Sequence, residues 1–152
     1  MRTRSLIASC LVLASAGTGL TACGGDDGLS KAEYRKQANA LCRQANADLA
    51  KIPAPSDVAG LKDYVTKAKQ VTTKAVDKMD ALQPPEDLKA DHDAHIADGR
   101  KVISMADELG KAAASNDQAA FERLTKEGDR MDEISDKRAE RMGLTDCADD
   151  AA

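Results

Sequence analysis

The sequence predicts an all-α protein, an up-down-up-down four-helix bundle closed by one disulfide, and three observations carry this prediction. Four long segments repeat apolar residues at steps of three and four, which places those residues on one face of a helix. Capping residues and prolines separate the segments, and no stretch shows the alternating pattern of a strand. Because the connections between the segments are short, neighbouring helices must run antiparallel.

The first two helices are bounded by recognisable start and stop residues. The first begins at the capping box Ser30–Glu33 and ends before Pro53. The second begins near Ser56 or Asp57 and stops at Pro84. Their predicted core faces include Tyr34, Ala38, Leu41, Ala45 and Leu49 in the first helix, and Leu61, Ala68, Val71, Ala75, Met79 and Leu82 in the second.

The third and fourth helices have similar signals. Pro85 suits the first turn of the third helix, where its missing N–H has no helical partner to lose. The fourth opens with a second capping box, Ser115–Gln118, and Gly143 can end it in a left-handed turn with Leu144 folded back. Their predicted core faces include Leu88, His92, His95, Val102, Ala106 and Leu109 in the third helix, and Phe121, Leu124, Met131, Ile134, Arg138 and Met142 in the fourth.

The N-terminal residues have the pattern of a secretory signal peptide. Arg2 and Arg4 precede an apolar run from 6 to 20, which is shorter than the roughly 20 residues that a membrane-spanning helix needs. The run ends in Leu20-Thr21-Ala22-Cys23, which resembles the motif at which bacterial lipoproteins are cleaved before a cysteine that becomes diacylglyceryl-modified. This resemblance implies that Cys23 is lipidated and anchors the chain at the extracytoplasmic face of the cell membrane. An ordinary secreted protein cut elsewhere, or an uncleaved membrane helix, is the alternative.

These signals divide the chain into four sections. They are a signal peptide over 1–22, a lipidated cysteine with a flexible tether over 23–29, the helical bundle domain over 30–147, and a disordered tail over 148–152. Residues 24–28 are all glycine or aspartate, and a segment without apolar side chains is expected to be a flexible tether. Two or more acyl chains, such as palmitate, hold a protein stably at a membrane.

The charge of the mature chain limits its partners. Removing residues 1–22 takes two of the 22 basic residues and none of the 26 acidic ones, which leaves a net charge of −6. Nucleic-acid binding requires a basic face, so we expect no nucleic-acid partner. The same charge disfavours attraction to anionic lipids, so the expected membrane contact is the lipid anchor.

Cys42 and Cys147 are the two cysteines of the predicted domain. They lack the paired spacing of a zinc site, and lone cysteines in an exported domain most often pair. Closing a loop of 105 residues contributes about 4 to 5 kcal/mol in the chain-entropy model. A reactive thiol is the alternative, although neither cysteine has a histidine nearby in sequence to activate it. Because Cys42 lies mid-helix and the tail before Cys147 spans about 17 Å at most, the fourth helix must end early or the helices must be offset.

Three further motifs are similar to those of a group of small helical actinobacterial lipoproteins. They are a helix-one cysteine motif, a Pro-Pro corner and a closing cysteine motif: Ala38-Asn39-Ala40-Leu41-Cys42, Leu82-Gln83-Pro84-Pro85 and Gly143-Leu144-Thr145-Asp146-Cys147. The resemblance covers nearly the whole mature chain. It implies the fold and the disulfide, and it implies no activity.

The segment Asp91–Asp98 contains both histidines of the protein. His92 and His95 share a helix face, and Asp91 or Asp98 lies one turn from one of them, so two imidazoles and a carboxylate can meet copper or zinc. The alternative is a pair of histidines at the edge of the core, hydrogen-bonded to acidic residues on adjacent helices.

No motif in the sequence identifies a reaction, and we expect no cofactor. The serines fall in no GxSxG, SxxK or P-loop pattern, and the alanine-rich core argues against a large internal cavity. We therefore expect a non-enzymatic interaction or accessory domain that contacts another envelope component. The alternative is a metal-binding or metal-sensing envelope protein that uses His92 and His95.

Overall fold

The computed structural model describes residues 28–148, so the predicted signal peptide, Cys23 and residues 149–152 lie outside the described part of the chain. Residues 28–148 form five helices and no strand. The helices are α1 (Lys31–Leu49), α2 (Val58–Asp80), α3 (Glu86–Ala114), α4 (Gln118–Met142) and the single turn α5 (Thr145–Ala148). The predicted all-α class and four-helix bundle are confirmed, with α5 as an additional element.

The starts of α1 and α2 are capped by the residues that the sequence indicates. The Glu33 amide donates to Ser30 Oγ at 3.2 Å, and the Gly60 amide donates to Asp57 Oδ1 at 2.7 Å. Each side chain satisfies one of the amides that has no partner inside its helix. Asp57, rather than Ser56, is therefore the cap of α2.

Two predicted helix starts are wrong, one by one residue and the other by two. Pro85 is the extended cap before α3, not part of its first turn, and the acidic residues that follow it face the positive end of the helix. Ser115 closes α3 by donating its hydroxyl to Lys111 O at 2.9 Å, so it is not the cap of α4. Asn116 takes a left-handed φ of 55°, which ends α3. Asp117 then caps α4 by accepting from the Ala120 amide at 3.0 Å.

Successive helices run antiparallel and pack against their sequence neighbours. Lys69 on α2 contacts Asp107 on α3 at 2.6 Å, and Lys101 on α3 contacts Glu127 on α4 at 2.8 Å. The short helix α5 packs against both α1 and α4. None of the helices between residues 28 and 148 combines the length and apolar character that crossing a bilayer requires.

The main core lies at one end of the bundle, where α1 and α3 begin and α2 and α4 end; we call this the proximal end. Its buried members are Tyr34, Ala38, Met79, Leu88, Ile96, Ala139, Met142 and Leu144. Leu29 packs against this core, and its amide donates to Gln83 O at 2.9 Å. Leu29, the last residue of the predicted tether, therefore gains apolar contact from the domain.

The buried face of α4 differs from the predicted face at Ile134 and at Ala139. Leu124, Met131, Ala139 and Met142 are buried, whereas Ile134 is 40% exposed. The face passes through Ser135, which is partly buried and lies one residue after Ile134. Because one residue advances a helix by about 100°, this shift turns Ile134 toward solvent.

The corner after α4 brings the two cysteines together. Gly143 has a φ of 76°, and the Leu144 amide returns to Ala139 O at 2.8 Å, as predicted for a left-handed helix end. The chain then runs back beside α1 as α5, and Cys42 and Cys147 form a disulfide with their Cα atoms 5.1 Å apart. The fourth helix therefore does not end early. Tyr34 contacts Met142 at the end of α4, and Cys42 lies two turns, about 12 Å, further along α1. The tail from Gly143 to Cys147 can span this distance.

Candidate functional site

His92 and Tyr34 form a buried polar pair in the core of the proximal end. His92 is 3% exposed, and its Nδ1 lies 2.9 Å from the Tyr34 hydroxyl. The two rings meet edge to face with their centroids 5.7 Å apart. The same hydroxyl lies 3.9 Å from Met142 Sδ. The pair thus joins α3 to α1 at the point where α4 ends.

Burial keeps both members of this pair uncharged at neutral pH. Loss of solvation lowers the pKa of His92 below its usual 6.5, although Asp93 and Asp80 oppose the shift. Burial also raises the pKa of Tyr34 to about 12. A neutral imidazole beside a neutral phenol is a stable internal hydrogen-bonding pair.

His95 lies one turn further along α3 and has a different partner. Its Nδ1 is 3.3 Å from Ser135 Oγ on α4. Burial lowers the pKa of His95, the Asp98 carboxylate opposes this shift, and the Arg138 charge adds to it. His95 is therefore also neutral at pH 7, with a hydroxyl rather than a carboxylate as its contact.

The carboxylates near the histidines are bound by arginines of α4. Asp98 forms an ion pair with Arg138, whose side chain is 16% exposed. Asp91 contacts Arg141 at 2.9 Å and lies 4.0 Å from Arg138 Nε. That Nε is buried and has no hydrogen-bond partner. Arg138 thus spans two acidic residues of α3 and ties α3 to α4.

The structure does not bring the predicted metal ligands together. His92 contacts Tyr34, His95 contacts Ser135, and Asp91 and Asp98 contact arginines. Within residues 28–148, no three His, Cys, Asp or Glu side chains are grouped so that they could hold a metal ion. The histidines lie in and beside the core, and their partners are hydroxyl groups rather than the acidic residues of the alternative interpretation.

His95 and Ser135 also lack the surroundings of a nucleophile and its base. Ser135 lies in the interior of α4, where backbone amides donate within the helix. Acyl transfer needs donors aimed at a developing oxyanion, and amides committed to a helix cannot serve. The pair is better suited to hydrogen bonding than to catalysis.

A cavity of about 200 Å³ opens beside His95, and we call it the interior cleft. All four long helices line it, and Cys42 and Cys147 lie at its border. Its volume is below the roughly 300 to 1,000 Å³ of typical ligand pockets. The sequence contains no signal for it, because its walls come from helices far apart in the chain.

Polar side chains of α1 hold the corner between α4 and α5, a feature that the sequence analysis missed. Arg35 Nε donates to Met142 O at 2.8 Å, and Asn39 accepts from the Asp146 amide at 2.9 Å. Asn46 donates to Asp146 O at 3.2 Å. The spacing of four and seven residues along one face of α1 is the signal that could have indicated this role.

No family model, curated protein or solved structure matches this chain.

Proposed function

We propose that this chain is an envelope lipoprotein, held at the outer face of the cell membrane by lipid on Cys23, and that its bundle is a non-enzymatic interaction domain for another envelope component. The observation that carries the proposal is the Leu20–Cys23 motif, which follows a charged and apolar leader and comes shortly before Leu29, a residue that packs against the core of the domain.

The position of Leu29 supports a defined orientation for the anchored domain. Leu29 is fastened to Gln83 at the proximal end of the bundle. Five residues lie between Cys23 and Leu29, and the six residue steps that join them span about 20 Å when extended. The proximal end therefore faces the membrane in this proposal. The sides of the bundle and its opposite end are then available to other envelope components.

The use of the interior polar groups supports a binding role rather than catalysis. His92 and Arg138 each join two helices through their polar atoms. The disulfide and the α1 side chains add further links at the proximal end. These contacts favour a rigid domain, and a rigid surface loses little conformational entropy when a partner binds.

The outer face of α4 is the contact surface that we propose. In the described part of the chain, Ile134 is the one large apolar residue that is exposed to solvent. Arg130 and Lys137 flank it, with 65% and 64% of their side chains exposed. Protein interfaces have an apolar centre and a polar rim, and Ile134 with these charged neighbours has that arrangement on the scale of a single side chain.

Metabolic labelling with a palmitate analogue tests the anchor. The wild-type protein should take up the label, and its N-terminal peptide should begin at Cys23 with diacylglycerol attached. Cys23→Ala should remove the label. Cys10→Ala is the matched control, because Cys10 lies in the predicted signal peptide and its loss should leave labelling intact. An unlabelled wild-type protein would refute the anchor.

In-cell crosslinking followed by affinity capture from native membranes tests the interaction domain. One stoichiometric partner should be recovered with the wild-type protein and lost with Ile134→Glu. Thr125→Glu is the control, because Thr125 is exposed on the same helix two to three turns away. Equal recovery with both variants would rule out the α4 face, and recovery of no partner would rule out the interaction domain.

A further inference from the structure

The interior cleft is built at the place where α5 separates α1 from α4. Between these helices, the proximal contacts join Tyr34 and Arg35 of α1 to Met142. Beyond them α5 packs against both helices, and its Cys147 lies at the border of the cleft. Wedging a helical turn between two long helices leaves space next to it. The disulfide thus maintains the separation that creates the cleft.

The cleft is lined by both apolar and polar side chains. Leu41, Ala45 and Val76 form part of the wall that α1 and α2 provide. His95 and Ser135 form part of the wall that α3 and α4 provide, and their side chains contact each other there. Asn46 and Thr72 add polar groups on the α1 and α2 side, and Ile96 and Val102 add hydrocarbon on the α3 side. A molecule in this space therefore meets hydrocarbon together with a small number of hydrogen-bonding groups.

The charges of the cleft exclude one class of ligand. The charged side chains among its described lining residues are the carboxylates Asp98 and Asp132, with no lysine or arginine. Arg138, which does not line the cleft, is committed to Asp98. An anion entering this space would lose its solvation and meet no opposite charge, which is costly. A bound molecule is therefore not an acid in its ionised form.

The volume of the cleft sets the size of the molecule. An engineered apolar cavity of about 150 Å³ binds benzene. At about 200 Å³, the interior cleft accommodates a single ring with one small substituent, or a short chain of equal volume.

We propose that the interior cleft is a binding site for an uncharged molecule of about this size that carries one hydroxyl or similar group. The apolar part contacts Leu41 and Val76, and the hydroxyl contacts both Ser135 and His95. Because burial lowers the pKa of His95, its neutral ring offers one N–H donor and one acceptor, which match a hydroxyl. This inference does not depend on the lipid anchor or on a protein partner.

Titration with three ring compounds of similar size tests the proposal. The purified protein, with its disulfide intact, is titrated with benzyl alcohol, toluene and benzoate. The methyl NMR signals of Val76 and Val102 report on the cleft, because both residues line it. Benzyl alcohol should shift them saturably. Toluene should bind about 2- to 13-fold more weakly, since one hydrogen bond contributes about 0.5 to 1.5 kcal/mol. Benzoate should leave them unchanged.

Two variants locate the site within the fold. Ala45→Met lengthens a side chain in the cleft wall and should abolish the benzyl alcohol shift, whereas Ala40→Met on the exposed face of α1 should leave it intact. Ser135→Ala should reduce the affinity for benzyl alcohol toward that for toluene. It also provides a test that does not depend on whether Ala45→Met folds.

Three results would overturn the proposal. If benzyl alcohol causes no saturable shift, the cleft holds water only. If benzoate binds as well as benzyl alcohol, the argument from charge fails. If Ser135→Ala keeps the full difference between benzyl alcohol and toluene, Ser135 does not recognise the hydroxyl and the proposed contact fails.

Discussion

Tyr34 Oη and His92 Nδ1 lie 2.9 Å apart and join α1 to α3 across 58 residues of sequence. Tyr34 is fully buried and His92 nearly so, and the contact lies among the apolar side chains that close the proximal end. A buried polar atom without a partner is costly, so each residue satisfies a group that the other would otherwise leave unpaired. This pair explains why a histidine is retained in an apolar core.

Removing the Tyr34 hydroxyl should destabilise the fold. We expect Tyr34→Phe to lower the free energy of unfolding by about 1 to 3 kcal/mol, because His92 Nδ1 then stays buried without its partner. Urea denaturation of the single variants and of Tyr34→Phe with His92→Leu gives a double-mutant cycle. Strictly additive losses would show that the two side chains are not coupled.

The stability of the domain should fall as the pH decreases below about 6.5. Burial lowers the pKa of both His92 and His95 in the folded state. Unfolded histidines therefore take up protons in a range where the folded ones do not, which favours unfolding. The slope should be at most about 1.4 kcal/mol per pH unit for each histidine. Above the pH range in which the unfolded histidines titrate, the free energy of unfolding should no longer change with histidine protonation.

Urea midpoints measured between pH 5 and pH 8 check this pH dependence. The range stays above the usual pKa values of the carboxylates, so histidine titration dominates it. The double variant His92→Gln, His95→Gln should have a flatter profile than the wild type. An identical slope in that variant would assign the effect to other groups.

Arg138 should contribute more to stability than its neighbour Arg141. The Arg138 side chain is 16% exposed and its partner Asp98 is 18% exposed, whereas the Arg141 side chain is 56% exposed. We expect Arg138→Ala to cost about 2 kcal/mol, somewhat less than breaking a fully buried pair. Arg141→Ala should cost less than about 1 kcal/mol. Equal losses in thermal or urea unfolding would contradict this difference.

Substitution by alanine should destabilise the domain at Gly143, which ends α4, and stabilise it at Gly128, which lies within α4. Gly143 has a φ of 76°, and a Cβ there would lie 2.6 Å from Arg35 Nε. We expect Gly143→Ala to cost about 2 kcal/mol, from left-handed strain and displacement of that arginine. Gly128 is helical and has open space beside it. Gly128→Ala should therefore stabilise the domain by about 1 kcal/mol. A stabilised Gly143→Ala protein would refute the role of the turn.

Loss of the disulfide should be the largest single effect. It closes a loop of 105 residues, so Cys42→Ala with Cys147→Ala should lower the free energy of unfolding by about 4 to 5 kcal/mol in the chain-entropy model. Urea denaturation with and without reductant measures this. Reductant should weaken the wild type and leave the double variant unchanged. Free thiols at both cysteines in a non-reducing peptide map would show that the bond is absent from the native protein.

The sequence predicts a helix end where a single capping or turn residue is present. It does not predict the end where two good capping residues lie close together in sequence. Ser30 and Gly143 act within a few residues of themselves, as a cap and a left-handed turn do in any helix. Ser115 and Asp117 are both good caps, and the sequence alone favours the wrong one. The difference arises from Asn116, whose left-handed backbone ends α3 before Asp117.

By itself, the sequence determined the helical class, the order of the four long helices and the pairing of Cys42 with Cys147. These features follow from the repeat of apolar residues, from short connections and from the count of cysteines, all of which are local or compositional. Only the tertiary structure decided that His92 meets Tyr34, that His95 meets Ser135 and that the interior cleft exists. The physical reason is that such contacts depend on the axial offset and rotation of packed helices, and a shift of one residue turns a side chain by about 100°.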